Sequence, residues 1–458
     1  MSEDTDSASG IIETLTSYIE NTRQEKLPPD IVERAKHHIL DTLAAIVSGS
    51  VLKSGLLAKS FIATQGGVRE AQVVGSSVVT SAINAAFANG MMGHAGETDD
   101  FEPISLTHPG TAILPATLAL AERERADGMS FLKGIVLGYD ICCRITKALV
   151  VEDLQEANIS THGLSGIFGA ASAAASIMKM KADQVRYVMA YTVQQSSGRL
   201  NWLRDEEHIE KAFVYGAMPA RDGVAAVLIV QAGFTGVRDP FSGDPCYFFN
   251  TISPRSQPQQ LVKELGSRYD IMAVTLKKYP VGGPIQAALE ALYILKEKHD
   301  LKPENVKNII ARLPSNTGSV VSNREMPNIN LQHIFALTIL DGKLSFVSSL
   351  SHERMNDPAV LDIKKRVELI PEDDLVDPIR PRQAIVEVTK TDGSKFQEHV
   401  TYVRGSAANP MNRQEVEDKC LELIEPVLGD ERSKRLIERI WNIEQVADIR
   451  ELRPFLSA

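Results

Sequence analysis

The sequence predicts a mainly α protein, with a large all-helical domain built from both chain ends and a smaller α/β (α+β) domain between them. Helical periodicity dominates the first 265 or so residues, strand-like patterns appear after them, and helical periodicity returns beyond Asn409. The chain has 458 residues, more than one hydrophobic core usually serves. The predicted domains are therefore 1–265 with 405–458, and 266–404.

The first predicted domain contains several amphipathic stretches of helical length. Pro29 begins one such helix, in which an apolar stripe continues through Leu43. Two more helices are predicted at Ala112–Ala126 and Phe131–Leu149. The segment Gly169–Ala175 has small side chains on all sides, so neighbouring helices can approach it closely. We expect this segment in the middle of a helix bundle.

Strand patterns mark the second predicted domain. Val306–Leu313 is rich in Val and Ile and alternates loosely, as strands do. Gln383–Lys390 and Lys395–Tyr402 flank Asp392-Gly393, a dipeptide typical of a hairpin turn. Further helices are predicted here and at the C-terminus, where the last two are expected to pack on the first domain: Pro284–Lys298, Leu331–Leu340, Gln414–Leu428 and Glu431–Glu444.

The composition excludes several classes of protein. Hydrophobic residues make up 43% and charged residues 24%, which is ordinary for a globular protein. We find no run of about 18 apolar residues, so no membrane span is predicted. The net charge is −10 and no basic run of five or more occurs, which argues against nucleic acid as the main partner. The acidic, polar N-terminus, MSEDTDSASG, lacks a signal or transit pattern, which predicts a cytoplasmic protein.

Neither the cysteines nor the known cofactor motifs indicate a cofactor. The four cysteines lack C-x-x-C spacing and are predicted to be buried free thiols: Cys142, Cys143, Cys246 and Cys420. No dinucleotide, P-loop, H-E-x-x-H or G-x-S-x-G motif occurs in the sequence. Asp99-Asp100 resembles the acidic pair of some magnesium sites, but no further oxygen ligands can be assigned. The sequence therefore predicts no cofactor and no metal.

Ionisable residues interrupt the apolar stretch between Gly93 and Gly110. Two histidines and three carboxylates occur within 15 residues: His94, His108, Glu97, Asp99 and Asp100. Pro109-Gly110 forms a turn before a new helix, and such turns often contain functional residues. Acid–base chemistry is one interpretation. The other is that the acids cap helices and the histidines pack in the core.

His162 and several cations are further candidates. His162 precedes the Gly/Ala-rich helix, where backbone N–H groups can bind an anion, although a lone histidine can equally be structural. Candidate substrate-binding cations, each near a small or turn-forming residue, are Lys211, Arg221, Lys277 and Lys278. Lys277 and Lys278 fall near the predicted domain junction, where ligand clefts are common. The alternative for each cation is a solvated surface side chain.

The chain resembles the MmgE/PrpD family almost end to end, through a series of short motifs. In chain order these are Leu40–Gly49, His94–Gly110, His162 with its helix, Arg221–Ala226, Gln231–Gly236, Lys277–Pro280, Leu340–Gly342, Asn409–Met411 and Glu415–Lys419. Their order and spacing over some 380 residues are specific. The resemblance implies the fold described above, a homodimer, and kinship with 2-methylcitrate dehydratase, cis-aconitate decarboxylase and iminodisuccinate epimerase.

The resemblance also implies roles for individual residues. It places the family's two active-site histidines at His108 and His162, and two of its basic residues at Lys277 and Arg221. The family pattern H-x-x-D-x-D-D begins at His94, with glutamate in place of its first aspartate. Three departures reshape the pocket and put the substrate in question: Phe101 for a common threonine, Val321 near a tyrosine of the decarboxylase, and Gly282-Gly283-Pro284 for a bulkier segment.

These residues suit the removal of a proton next to a carboxylate. Cations such as Lys277 and Arg221 would stabilise the enediolate, and two histidines, His108 and His162, would transfer protons. Glu97, Asp99 or Asp100 would orient one ring or share the proton.

The same intermediate permits several outcomes. The first hypothesis is a cofactor-independent hydro-lyase like 2-methylcitrate dehydratase, acting on a small di- or tricarboxylate. The alternatives are an epimerase of an amino or imino dicarboxylate, a cis-aconitate-type decarboxylase, and a non-catalytic binding or scaffold protein. The epimerase gains support from Phe101 and the Gly-Gly-Pro segment, since epimerisation expels no hydroxyl.

Overall fold

The computed structural model describes residue 8 and residues 10–243 and 248–458. The protein is mainly helical, which confirms this part of the predicted fold class. In chain order the α-helices are α1 Ile11–Asn21, α2 Pro29–Gly49, α3 Lys53–Ala63, α4 Ala82–Gly93, α5 Pro109–Glu124, α6 Gly128–Leu149, α7 Val151–Glu156, α8 Thr161–Ile177, α9 Ala182–Gln195, α10 Glu210–Ala212, α11 Met218–Gln231, α12 Phe248–Ile252, α13 Gln286–His299, α14 Ser315–Gly318, α15 Leu331–Asp341, α16 Phe346–Ser349, α17 Pro358–Lys364, α18 Arg413–Leu428 and α19 Asp430–Trp441.

The strands form one short ladder and one mixed sheet. Strands β1 (Ala71–Gln72) and β2 (Val79–Thr80) pair antiparallel within the region predicted to be all-helical. The four-stranded sheet has the order β4-β3-β5-β6, with β3 Val306–Pro314, β4 Val367–Glu372, β5 Ala384–Lys390 and β6 Lys395–Val400. Strand β3 pairs parallel with β4 and antiparallel with β5, and β5 pairs antiparallel with β6.

Most predicted elements are present, with ends shifted by a few residues. Strands β5 and β6 form the predicted hairpin, and its turn residue Gly393 has φ 88°, which glycine adopts without a Cβ penalty. Strand β4 was not predicted. Only Val367 at its start is buried, so the strand shows no alternation of apolar and polar residues.

The chain divides into two compact units. The first holds the described residues within Met1–Ala95, Asp99–Val274 and Arg413–Ala458. The second consists of Gly96–Thr98 and Thr275–Asn412. The domain boundaries 265/266 and 404/405 stay a prediction.

In the first unit, helix α8 lies in the centre of the bundle, as its small side chains predict. Its residues from Gly163 to Ile177 are all buried. A Cβ at Gly169 would lie 2.6 Å from the carbonyl oxygen of Gly138 in α6, so both positions need glycine for the helices to touch. The C-terminal helices belong to this unit too, and Lys419 of α18 pairs with the buried Asp41 of α2.

Helix α8 also packs against a long apolar helical segment. Among the described residues, Glu210–Gln231 alone is a single helix long and apolar enough to cross a bilayer. However, 72% of its most apolar window is buried inside the protein, as in a core helix of a soluble protein. It contributes to the hydrophobic core of the first unit.

Three of the four cysteines are buried free thiols, as predicted. Burial raises the pKa of Cys142 to about 12, so this thiol stays protonated and unreactive. Burial also raises the pKa values of the Cys143 and Cys420 thiols. Cys246 lies outside the described residues.

In the second unit, helices cover the sheet and enclose a separate core. Leu289 and Leu292 of α13, together with Ile334 of α15, are fully buried with the inward residues of β3 and β5. This packing explains why β5 alternates between buried and half-buried positions.

Candidate active site

A buried carboxylate, Asp99, holds two histidines of the first unit. His108 Nδ1 lies 2.6 Å from Asp99 Oδ2, and His94 Nδ1 lies 3.0 Å from both carboxylate oxygens. Since an ionised carboxylate only accepts, both imidazoles donate through Nδ1–H. Each ring therefore has its tautomer fixed, with Nε2 left as the nitrogen that can accept a proton.

The neighbouring Asp100 has different partners, although it adjoins Asp99 in sequence. It accepts from His38 Nδ1 at 2.6 Å, from the Tyr139 hydroxyl at 2.7 Å and from the backbone N–H of Gly110 at 3.1 Å. A Cβ at Gly110 would overlap the Thr42 hydroxyl and lie 2.7 Å from that of Tyr139. Asp100 thus fixes the start of α5, directly after His108.

Burial raises the pKa of Asp100 to about 6, and the charge of Asp99 acts in the same direction. The hydrogen bonds from Tyr139 and Gly110 oppose this shift but do not cancel it.

The sequence hypothesis gave Glu97, Asp99 and Asp100 interchangeable roles. In the structure Asp99 contacts the candidate histidines, whereas Asp100 contacts the framework behind them.

A π-helical turn, Phe213–Ala217, interrupts the helical segment between α10 and α11. Proline has no N–H and its ring clashes with the carbonyl four residues earlier, which for Pro219 is that of Tyr215. That carbonyl accepts a hydrogen bond from the Thr111 hydroxyl at 3.0 Å instead. Such turns are frequent at functional sites. This one places the Tyr215 ring among the histidines.

The aromatic rings form one stacked cluster. The Tyr215 ring lies between two imidazoles, 3.7 Å from His162 at 20° and 4.1 Å from His94 at 17°, centroid to centroid. His108 meets both imidazoles edge to face, at 5.1 Å from His162 and 5.0 Å from His94. Trp202 approaches His162 edge-on at 5.7 Å. The two predicted catalytic histidines are thus in contact.

Accessibility separates the members of this cluster. His94, Asp99 and Tyr215 are buried, and a substrate cannot touch them without rearrangement. The side chain of His108 is 13% exposed, and His162 is also partly exposed. A ligand can therefore reach the two histidines that the sequence hypothesis selected.

His162 is held as a neutral imidazole. Burial lowers its pKa well below the ordinary value, and the charges of His108, His94 and Lys211 lower it further. Its Nδ1 is enclosed and has no hydrogen-bond partner. An imidazolium would need an acceptor there, so the buried nitrogen also disfavours protonation.

Lys211, predicted to bind substrate, belongs to the same cluster. Its Nζ lies 5.3 Å from the Tyr215 ring centre and 5.7 Å from that of Trp202. Its side chain is buried, and its backbone N–H donates to Asp205 at 2.8 Å. The cluster thus contains a lysine beside the histidines.

Arg221 is not part of the ring cluster. It lies inside α11, and its Nε donates to Asp222 Oδ1 at 2.6 Å. Its guanidinium lies 5.8 Å from the Phe213 ring centre, and its side chain is 39% exposed. The structure gives it a partner of opposite charge and access to solvent.

The second unit contains the remaining predicted residues. Lys277 Nζ lies 2.8 Å from Glu97 Oε2, and both side chains are buried. Lys278 instead pairs with Glu290 at 3.7 Å and lies over the Tyr279 ring at 5.2 Å. Glu97, which stands in place of the first aspartate of the H-x-x-D-x-D-D pattern, is therefore the partner of Lys277.

Two departures from the family pattern flank these sites. The buried Phe101 ring lies 6.1 Å from that of His108 in the first unit, so an apolar face replaces a hydroxyl there. In the second unit Val321 is buried, and a Cβ at Gly282 would lie 3.7 Å from it. Both positions present hydrocarbon where a polar side chain is expected.

His94, Asp99 and His108 are also close enough together to hold a metal ion. The distances from Asp99 carboxylate oxygens to His94 Nδ1, 3.0 Å, and to His108 Nδ1, 2.6 Å, are those of hydrogen bonds. In this arrangement both Nδ1 nitrogens already donate to Asp99. The observed spacing of the trio is therefore that of a hydrogen-bonded group.

The sequence hypothesis missed several members of the site. His38 and Tyr139 lie in predicted helices, Trp202 and Tyr215 lie outside the predicted elements, and no motif surrounds any of the four. His208 was also missed; its Nδ1 lies 3.1 Å from the Ala95 carbonyl oxygen. The only local signal was Pro219 inside an apolar helix, which predicts a backbone irregularity near Tyr215.

Comparison with known proteins agrees with the resemblance. The chain matches the MmgE/PrpD N-terminal domain over residues 13–261 and the MmgE/PrpD C-terminal domain over residues 279–444. Similar proteins include a cis-aconitate decarboxylase-like protein, oryM, of Aspergillus oryzae, 22% identical over 97% of this chain and 96% of its own length. The cis-aconitate decarboxylase of Homo sapiens is 23% identical over 98% and 94%. That of Aspergillus terreus is 22% identical over 100% and 98%.

Proposed function

This chain belongs to the MmgE/PrpD family, and we propose that it is a cofactor-independent lyase acting on a small di- or tricarboxylate. The observation that supports this most directly is the contact between the Asp99–His108 pair and the neutral His162. Two partly exposed imidazoles in different electrostatic surroundings are suited to opposite roles in one proton transfer.

His108 is the proposed general base. The Asp99 carboxylate, 2.6 Å from Nδ1, stabilises the imidazolium that forms when Nε2 takes a proton. A carbon next to a carboxylate is a weak acid, because its carbanion adds charge to an anionic group. A positioned base of this kind contributes about 10²–10⁴-fold to the rate.

His162 is the proposed neutral hydrogen-bond donor. Its enclosed Nδ1 leaves Nε2 as the nitrogen that can reach a ligand. A neutral Nε2–H would donate a hydrogen bond to the oxygen on which charge develops. The proton that His108 Nε2 takes from carbon would then pass from the His108 imidazolium to the leaving group.

Four cations are the proposed substrate-binding residues. Lys211 lies in the ring cluster and would neutralise a substrate carboxylate without disturbing the Asp99 hydrogen bonds. Lys277, Lys278 and Arg221 remain proposed substrate-binding residues. In the structure these three cations pair with Glu97, Glu290 and Asp222, respectively. A substrate carboxylate would have to compete with these acidic side chains for the cations.

Dehydration of a hydroxy acid of the 2-methylcitrate type is the first proposed reaction. Decarboxylation of a cis-aconitate-type acid is the second, and the names of the similar proteins favour it. Both begin or end with charge on a carbon next to a carboxylate, so one site serves either.

The test is incubation with a panel of these acids in D₂O. Alkene absorbance with water loss would indicate the hydro-lyase, and release of CO₂ the decarboxylase. Deuterium next to a carboxylate without either would indicate an epimerase. No change across the panel would overturn the proposal of a lyase and favour a binding protein.

We also propose a cytoplasmic homodimer that needs neither nucleic acid nor a membrane. Sedimentation of the purified protein would check the oligomeric state. A monomer at micromolar concentration with full activity would contradict the dimer.

A further inference from the structure

We propose that Tyr215 is a positioning residue that fixes the plane of the His162 imidazole. An imidazole is usually oriented by a hydrogen bond at its second nitrogen. His108 has that bond to Asp99, but His162 Nδ1 has no partner. Another feature must therefore hold this ring. The inference rests on the proposed function, since it concerns how that site is oriented.

Stacking supplies the missing constraint. The Tyr215 ring lies 3.7 Å from that of His162 and only 20° from parallel, which covers one face of the imidazole. Trp202 and His108 approach His162 edge to face, at 71° and 65°. Rotation of His162 about its last side-chain bond would drive its ring into these neighbours. The stack leaves Nε2 pointing along a fixed direction.

The backbone anchors Tyr215 in turn. The π-helical turn carries Gly216, whose carbonyl carbon and oxygen would each lie 2.6 Å from a Cβ at Gly90 of α4. The Tyr215 carbonyl is bonded to Thr111 at the start of α5. Because α4 and α5 lead to and from the segment with His94 and His108, Tyr215 cannot shift independently of them.

One carboxylate thereby orients both reacting histidines. Asp99 holds His108 directly and holds His94, whose ring covers the other face of Tyr215 at 4.1 Å. The order of contact is Asp99, His94, Tyr215, His162. His94 and Tyr215 are buried and do not touch the substrate, so both act by positioning.

The experiment compares Tyr215→Phe with Tyr215→Met. Phenylalanine keeps the stacking face, and methionine has similar bulk without a ring. We expect kcat of Tyr215→Met to fall about 10- to 100-fold with KM within about threefold of wild type. Tyr215→Phe should restore most of the lost rate. A matched control is Phe396→Leu, which removes a stack of equal spacing, 3.7 Å, from His299 in the second unit. It should leave kcat unchanged.

A readout without turnover separates this inference from the proposed function. Imidazole ¹⁵N spectra report tautomer and exchange for each histidine. We expect one tautomer for His162 in wild type and Tyr215→Phe, and averaged signals in Tyr215→Met. If no acid is turned over, the lyase proposal fails while this measurement still tests the stack.

Should Tyr215→Met fail to fold, His94→Gln tests the same stack from its other face, because glutamine can still reach Asp99. Averaged His162 signals are again expected. Unchanged His162 signals and an unchanged kcat in either folded variant would overturn the inference.

Discussion

Asp99 Oδ2 lies 2.6 Å from His108 Nδ1, and the same carboxylate binds His94 Nδ1 at 3.0 Å. One buried charge thus fixes the tautomers of two histidines, and only one of them, His108, is partly exposed. This asymmetry supports His108 as the proposed reacting ring and leads to the first prediction.

Replacing Asp99 with asparagine should slow turnover while the protein stays folded. The amide has nearly the shape of the carboxylate but cannot stabilise an imidazolium, and it can bind His108 in the wrong tautomer. We expect kcat to fall by about 10²–10⁴-fold. Steady-state rates and a thermal melt check this. A variant with wild-type kcat would exclude the Asp99–His108 pair from catalysis.

His162→Ala should abolish turnover with little effect on folding, because its Nδ1 has no hydrogen-bond partner to lose. The matched control is His333→Ala. His333 is also buried with unpartnered ring nitrogens, and burial lowers its pKa to about 4, but it belongs to α15. We expect the control to change stability and to keep kcat. Equal rates in both variants would remove His162 from the mechanism.

The Lys277–Glu97 pair should contribute to stability and to substrate binding in separable ways. Lys277→Met leaves the buried Glu97 carboxylate without its 2.8 Å partner, and losing one member of such a pair costs about 3–5 kcal/mol. The double variant Lys277→Met/Glu97→Leu should regain much of that free energy of unfolding but no turnover. Urea unfolding and rates measure the two effects. Full turnover in the double variant would show that Lys277 does not bind substrate.

Stability should depend on pH through Asp100. Its folded pKa of about 6 exceeds the ordinary 3.8, so the folded state holds the proton more tightly. Its stabilising contribution is therefore complete below about pH 4 and is lost as pH rises through about 6. We expect a loss of about 1–3 kcal/mol from this group over that window.

Asp100→Asn should flatten this part of the curve, measured by urea unfolding from pH 4 to 7. Asp41 and Asp140, whose pKa values burial also raises to about 6, remain in the variant. The difference between the two curves isolates Asp100. The exposed Asp183→Asn serves as the control. Parallel curves for wild type and Asp100→Asn would contradict the assignment.

Activity should survive exhaustive chelation. In the proposed mechanism side-chain cations such as Lys211 stabilise the charge, and Asp99 is occupied by two imidazoles. Rates after dialysis against a strong chelator should match those of untreated protein. Loss of activity that Mg²⁺ or Zn²⁺ restores would instead make His94, Asp99 and His108 metal ligands.

Local patterns predicted most elements but not all of their contacts. The periodicity of α2 and the Asp392-Gly393 turn have causes within a few residues, so both could be predicted. Strand β4 could not, because its pairing with β3 decides its conformation and its side chains do not alternate. Asp99 and Asp100 are adjacent and chemically identical. Their roles differ only because opposite sides of the chain face different helices.

The sequence by itself determined the family and the predominance of helix, and it selected His108 and His162 as the candidate histidines. Those properties reside in motif order, periodicity and residue chemistry. Only the tertiary structure decided which carboxylate binds His108, that His162 stays neutral, and that Tyr215 lies between two imidazoles. These depend on distances between residues that can lie more than a hundred positions apart, for example Thr111 and Tyr215. Such distances follow from how α4, α5, α8 and the π-helical turn pack, and no local pattern specifies that packing.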